Sequence, residues 1–220
     1  MQFIVNFHGV GNTRRTLDEG EARYWIEESH FSEMLDVVQS KDMPIAITFD
    51  DGNESDWTIA APQLLERGLS AKFFVLAGKL DQTGYLTRAQ VAQLDREPIF
   101  TVGSHGSDHL VWPDLDDPEL EQEISSSRRV IGDICGREVY ETGLPFGRYD
   151  RKTLISLKKH GYRRIYSSDG GPRLFEAAPI PRFSITRETS TEELERLIGK
   201  FSRFPSRLKN EIRATLKAFR

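Results

Sequence analysis

Cysteine is nearly absent: Cys135 is the only one in 220 residues, so no disulfide can form within the chain, and a reducing compartment is expected. Long apolar runs are missing too. None approaches the ~20 residues that a membrane-spanning helix needs. The first fifteen residues, MQFIVNFHGVGNTRR, carry no basic segment ahead of an apolar run only a strand long. The reading is therefore no signal peptide and a cytoplasmic location. A net charge of −4 speaks against a general nucleic-acid binder. There is no internal repeat, low-complexity tract or linker, and the length suits one substantial core better than two.

What the chain does have is strand-length apolar runs separated by helical patterns. The runs are FIVNF (3–7), PIAITF (44–49), AKFFVLA (71–77), PIFTVG (98–103), REVYETGL (137–144), RRIYSS (163–168) and PIPRFSIT (179–186). Residues 22–38 place Trp25, Phe31, Leu35 and Val38 at helical spacing, and residues 55–67 end against Gly68. Thr87 and Gln90 form a capping-box pattern; Asp117, Pro118 and Gly136 bracket a longer helix, and residues 150–161 end on Lys158, Lys159, His160 and Gly161. Strands alternating with helices imply βα units. About seven of them in one domain predict a distorted or incomplete (β/α) barrel of parallel strands.

Barrels of this kind gather chemistry where strands end and loops begin. Here the first strand ends at His8-Gly9, the second at Asp50-Asp51-Gly52, and the fourth in GSHGSDH with His105 and His109. Two histidines four apart in a helical turn share one face. With a carboxylate from another strand end they would form a His₂Asp site that leaves positions open on zinc. A cation would also account for two adjacent aspartates at a strand end. One can ligate it, while the other stays ionised beside it as a base. DDGNESD does not fit a calcium loop, because the sixth position is Ser55 rather than glycine.

These motifs resemble those of the polysaccharide deacetylase family (carbohydrate esterase family four, NodB-homology domain), and the resemblance runs over roughly residues 3–200. TFDDG at 48–52, HGSDH at 105–109 and LPFG at 144–147 carry it. It implies a catalytic domain over 1–200 that removes N-acetyl groups from an amino-sugar-containing saccharide or glycan precursor. Asp50 would be the general base, and Asp51, His105 and His109 the ligands of one divalent metal, expected to be Zn²⁺. The backbone N–H of Phe146 would stabilise the oxyanion, with Pro145, Phe146 and Gly147 lining the groove. Trp112, and Trp57 with it, could stack on a sugar face.

The chain departs from the family pattern twice. Gly143 stands where many members have an arginine that orients the base, and the late Leu-x-x-His motif that supplies a general acid is missing. His8 is the candidate substitute acid and Arg182 the candidate substitute arginine. A hydrolase of other C–N bonds, allantoinase-like or acting on cyclic imides, and a sugar-binding module without turnover remain the alternatives. Residues 201–220 read as a separate basic amphipathic helix. Leu208, Ile212, Leu216 and Phe219 form its apolar stripe, beside Lys209, Arg213, Lys217 and Arg220. It is expected to pack on the same domain, with weak contact to an anionic membrane through 206–220 as the alternative.

Overall fold

The computed structural model describes residues 2–171, 179–201, 215 and 217. Its elements in chain order are β1 (Phe3–Phe7), β2 (Gly9–Val10), β3 (Trp25–Ile26), α1 (Glu28–Gln39), β4 (Ile45–Phe49), α2 (Ala61–Arg67), β5 (Ala71–Val75) and α3 (Arg88–Arg96). They continue with β6 (Phe100–Ser104), α4 (Asp117–Cys135), β7 (Glu141–Gly143), α5 (Arg151–Lys159), β8 (Arg164–Ser167), β9 (Ile180–Pro181), β10 (Phe183–Ser184) and α6 (Thr191–Phe201). Eight of the strands form one all-parallel sheet in the order β10-β1-β4-β5-β6-β7-β8-β9.

The expected seven strand runs are all present, and the count of eight has a local cause. The last run, residues 180–184, changes partner in its middle: Ile180 and Pro181 pair with β8, whereas Phe183 and Ser184 pair with β1. Arg182 lies at the switch, its N–H donating to the Ser167 carbonyl at 2.9 Å. One extended segment thus joins the two ends of the sheet and nearly closes the barrel.

The period-two alternation of the strands divides the apolar residues into two cores. Phe3, Val5, Phe7, Ile47, Phe49, Phe73, Val102 and Ile165 pack outward under the helices, where Phe7, Phe31, Phe49 and Phe73 stack or meet edge-on. Ile4, Phe74 and Tyr166 form a smaller cluster apart from it. Asn6 and Thr48, the polar alternates of β1 and β4, are fully buried and meet each other, Thr48 donating to the Asn6 amide oxygen at 2.7 Å. An apolar barrel with a polar upper layer results.

Helix termini follow their local chemistry, with two corrections. The helix expected over 22–38 begins at Glu28, because Trp25 and Ile26 are taken into a short parallel pair with Gly9 and Val10. The cap of α4 is Asp116 rather than Asp117: its carboxylate accepts from the Glu119 N–H at 2.9 Å, and Glu119 reciprocates. The Thr87–Gln90 capping box forms with both bonds, and Gly68 and Gly136 end their helices in the left-handed conformation. Most of the basic tail lies outside the described residues. Of its cations only Lys217 is described: its Nζ donates to the Gly147 carbonyl and to Asp169, both at 2.8 Å, above the Tyr149 ring.

One buried acid is unusual. Asp56 begins the π-helical turn Asp56–Ala60 that leads into α2, is fully buried, and neither of its carboxyl oxygens has a hydrogen-bond partner among the described residues. Burial, and then the charges of Asp51 and Asp50, hold its pKa well above the ordinary carboxylate value. A folded pKa above the unfolded one of about 3.9 means that Asp56's contribution to stability is fully present below that pH. It is lost as pH rises toward the folded value. Asp56→Asn should therefore gain stability over the unsubstituted chain as pH rises from about 4 to 8, read as a widening difference in urea midpoint. A difference that stays constant across that range would show that Asp56 is not held protonated.

Candidate active site

At the C-terminal ends of the strands lies a cavity of about 680 Å³, lined among others by His8, Asp50, Asp51, His105, His109 and Phe146. Residues from four separate strand ends therefore meet in one place. Among the described residues, three of the four non-glycine residues with positive φ belong to this set: Asp51 (78°), His109 (60°) and Phe146 (56°). Such conformations cost energy and persist where the surrounding structure imposes them.

The two aspartates diverge sharply although adjacent. Asp50 continues the inward alternation of β4 and enters the polar layer of the barrel. Its carboxylate accepts from Arg182 Nη1 at 2.6 Å and Nη2 at 2.8 Å, and from the Asn6 amide at 3.0 Å. Arg182 is itself fully buried, with its guanidinium near the Phe74 and Tyr166 rings and a further bond to Asn6 at 2.8 Å. Burial alone would raise the Asp50 pKa, but Arg182, then His105 and the Arg182 hydrogen bonds, hold it well below the usual carboxylate range. Asp50 is ionised at any ordinary pH.

Asp51, turned the other way by its left-handed backbone, faces the histidines. Its Oδ1 is 3.5 Å from His105 Nε2 and 3.6 Å from His109 Nε2, and the three ligand atoms all lie within 4.8 Å of one another. A tetrahedral ion bound at about 2.0–2.1 Å spaces its donors by roughly 3.3–3.4 Å, so the two Asp51–histidine spacings suit a zinc-sized cation. The same Oδ1 is buried and has no hydrogen-bond partner among the described residues, the condition expected of an oxygen kept for a metal. Burial, reinforced by the Asp50 charge and opposed by His8, pushes the Asp51 carboxyl up to about 6.

The histidines are prepared in the complementary sense. Burial pushes His105 down to about 3 and lowers His109 as well, so both rings are neutral at pH 7. The His105 Nδ1 lies 3.0 Å from the Gly143 carbonyl, which makes Nδ1 the protonated nitrogen and leaves the Nε2 lone pair toward Asp51. Gly143 stands where the expected arginine is missing, and the packing explains its size. A Cβ there would come within 3.0 Å of both Asp50 Oδ1 and His105 Nδ1. Arg182 approaches the same carboxylate from the closing strand.

His8 lines the cavity beside Tyr24, ring centroids 4.8 Å apart, with its Nδ1 buried and unpartnered among the described residues. Phe146 is 56% exposed at the rim and stacks on His109 at 4.2 Å, while Gly147 also lines the cavity. Pro145 is buried beneath them. Trp112 is a correction: it is fully buried in the outer core with its indole N–H toward Glu123, so it has no face to offer a sugar. Trp57 packs against the same core. His160 ends α5 beside Glu121, away from the cavity. The sequence reading missed the wall between β2 and β3. There Arg15 pairs with Glu21, donates to Asn53 at 2.9 Å and lies over the Tyr85 ring at 4.5 Å. No motif marks it.

The chain thus combines a near-closed parallel (β/α) barrel with an Asp-His-His cluster at its strand ends. The family model described as polysaccharide deacetylase matches residues 37–165, and the chain belongs to that family. Chitooligosaccharide deacetylase of Azorhizobium caulinodans is 33% identical over 138 residues, 62% of this chain and 63% of that protein. Bacillus subtilis YxkH is 27% identical over 181 residues, 76% and 64% respectively, so the chain spans less than two thirds of either relative. Among solved structures, the Streptococcus pyogenes deacetylase PplD in complex with acetate superposes with a TM-score of 0.76 at 16% identity, covering 89% of this chain and 97% of that one. A polysaccharide deacetylase from Bacillus cereus gives 0.75 at 20% identity, over 89% and 68%. Identities this low speak for the fold alone.

Removing one member of a buried ion pair leaves the other uncompensated, typically at about 3–5 kcal/mol. Arg182→Met should cost stability of that order in urea unfolding. Asp50→Asn combined with Arg182→Met should recover part of it. If Arg182→Met alone costs less than about 1 kcal/mol, the pair does not organise the barrel interior.

Proposed function

We propose that the chain is a metal-dependent hydrolase that removes N-acetyl groups from an amino-sugar-containing saccharide or glycan precursor. The observation that carries this reading is the orphaned Asp51 Oδ1 facing two neutral histidine nitrogens, a few ångströms from an ionised Asp50. A divalent metal at Asp51, His105 and His109, most simply Zn²⁺, would supply Lewis acidity at the acetyl carbonyl and make water nucleophilic near neutral pH.

The remaining work falls to the chain's own groups. Asp50, fixed by Arg182 and Asn6, accepts the proton of the attacking water. Arg182 is here a positioning residue in the part assigned to the missing arginine. The Phe146 N–H is the proposed donor to the developing oxyanion, in a turn whose left-handed Phe146 is held by stacking on His109. His8, across the cavity, is the proposed donor to the leaving amine. For the tail, a membrane-contacting role would have to compete with Asp169 for Lys217. Among the described residues no helix is long and apolar enough to cross a membrane.

Two measurements on the purified chain test this. Metal analysis should find about one divalent ion per chain, lost in Asp51→Asn but retained in Asp50→Asn, with acetate release from N-acetylated chitooligosaccharides abolished in both. Equal metal loss in the two variants would overturn the division of roles. Stoichiometric metal without acetate release would favour a C–N hydrolase of another kind. His8→Ala should lower kcat by ~10²–10⁴ with metal retained, the range for a lost general acid. An unchanged kcat would remove His8 from the mechanism.

A further inference from the structure

We infer that Glu123, on α4, is a positioning residue that holds the His105–His109 turn in the shape that binds metal; the inference rests on the metal reading above. The turn is demanding: Gly106 has a φ of 87° and His109 one of 60°, and its central amides face away from any strand partner. Those amides find their acceptor in a helix. Glu123 Oε2 accepts from the Ser107 N–H at 3.1 Å, Oε1 from the Asp108 N–H at 3.1 Å, and Oε2 again from the Trp112 indole N–H at 3.4 Å.

Glu123 is only 4% exposed, and no basic side chain among the described residues pairs with it. A buried carboxylate without a cation depends on the N–H groups around it, so displacing them is costly. Sterics tighten the arrangement. A Cβ on Gly106 would sit 2.9 Å from Glu123 Oε2 and 3.1 Å from the Trp112 ring, so the carboxylate and indole fill the space beneath the turn. A second tie runs parallel: the Gly106 N–H donates to Ser104 Oγ at 3.0 Å, and that hydroxyl reaches Ser127 on α4 at 3.0 Å. The helix thereby fixes the span between the two histidines whose Nε2 atoms meet Asp51.

Both oxygens of Glu123 act as acceptors on different amides. An amide side chain has one acceptor and would turn an NH₂ against the other N–H. Glu123→Gln is therefore the informative change, with Ile131→Val, which trims the core on the same helix, as the control. Zn²⁺ affinity by chelator competition should fall 10–100-fold in Glu123→Gln, the range typical for groups that orient ligands, and should stay unchanged in Ile131→Val. Amide hydrogen exchange at Ser107 and Asp108, measured without metal, should speed up only in Glu123→Gln. Affinity within twofold of the unsubstituted chain overturns the inference, as does unchanged exchange at both amides. If the unsubstituted chain binds no Zn²⁺, the metal reading fails, and the exchange data still decide whether Glu123 holds the turn. Should Glu123→Gln fail to fold, Glu123→Asp keeps the charge but withdraws it by one methylene. Weaker Zn²⁺ binding and faster exchange there support the bracing role, and unchanged values refute it.

Discussion

The ion pair between Asp50 and Arg182 is the constraint around which the barrel is arranged. A fully buried guanidinium and a fully buried carboxylate each cost several kcal/mol to desolvate, and neither is tolerable without the other. Their meeting requires β4 and the closing segment to reach the same height, with Asn6 and Thr48 supplying the remaining hydrogen bonds. It also explains why the last extended run breaks in two. Arg182 must turn inward between Phe74 and Tyr166 at the place where the chain passes from β8 to β1.

That pair also makes room for a different environment one residue later. With Asp50 paired to Arg182, burial dominates the behaviour of Asp51 and outweighs the opposing charges of His8 and Arg15. The neighbouring histidines respond to the same dry surroundings in the opposite direction and give up their protons. A raised carboxyl beside depressed imidazoles is poorly satisfied by itself and well satisfied around a cation, which reverses both tendencies at once. The strain at Asp51, His109 and Phe146 belongs to the same bargain, since each holds its backbone in a conformation that an isolated chain would avoid.

Much of this was legible in the sequence, for identifiable reasons. Seven apolar runs separated by capped helices specify parallel strands covered on both faces, and a distorted barrel is one of the arrangements that achieves this. TFDDG and HGSDH stand at strand ends, where position along the chain translates directly into position at the rim. What was not legible depends on contacts across the fold. Nothing in IPRFSI says that its arginine points inward, and a period-two reading cannot locate the residue at which a strand changes neighbours. Trp112 looked like a sugar platform because it follows a histidine motif, yet the burial of its indole depends on α4 lying beneath the turn. Glu123 is a single acid on an acidic amphipathic helix, and only its inward placement sets it apart. Arg15 meets Glu21 six residues on and Asn53 thirty-eight residues on, and the second contact exists only after folding, in a segment with no periodicity to read.

The adjacency of the two aspartates is therefore the economical feature of the site. A strand that ends in a left-handed residue sends consecutive side chains into unlike surroundings without an intervening spacer. One side chain completes the barrel's interior and stays charged, and the other leaves the sheet and joins residues from a separate strand end. Environments that push two neighbouring acids apart are how a fold assigns different roles to chemically identical groups. Here the separation comes from the backbone at position 51 and the arginine at position 182, so the chemistry of the pair is decided by a turn and by the strand that closes the barrel.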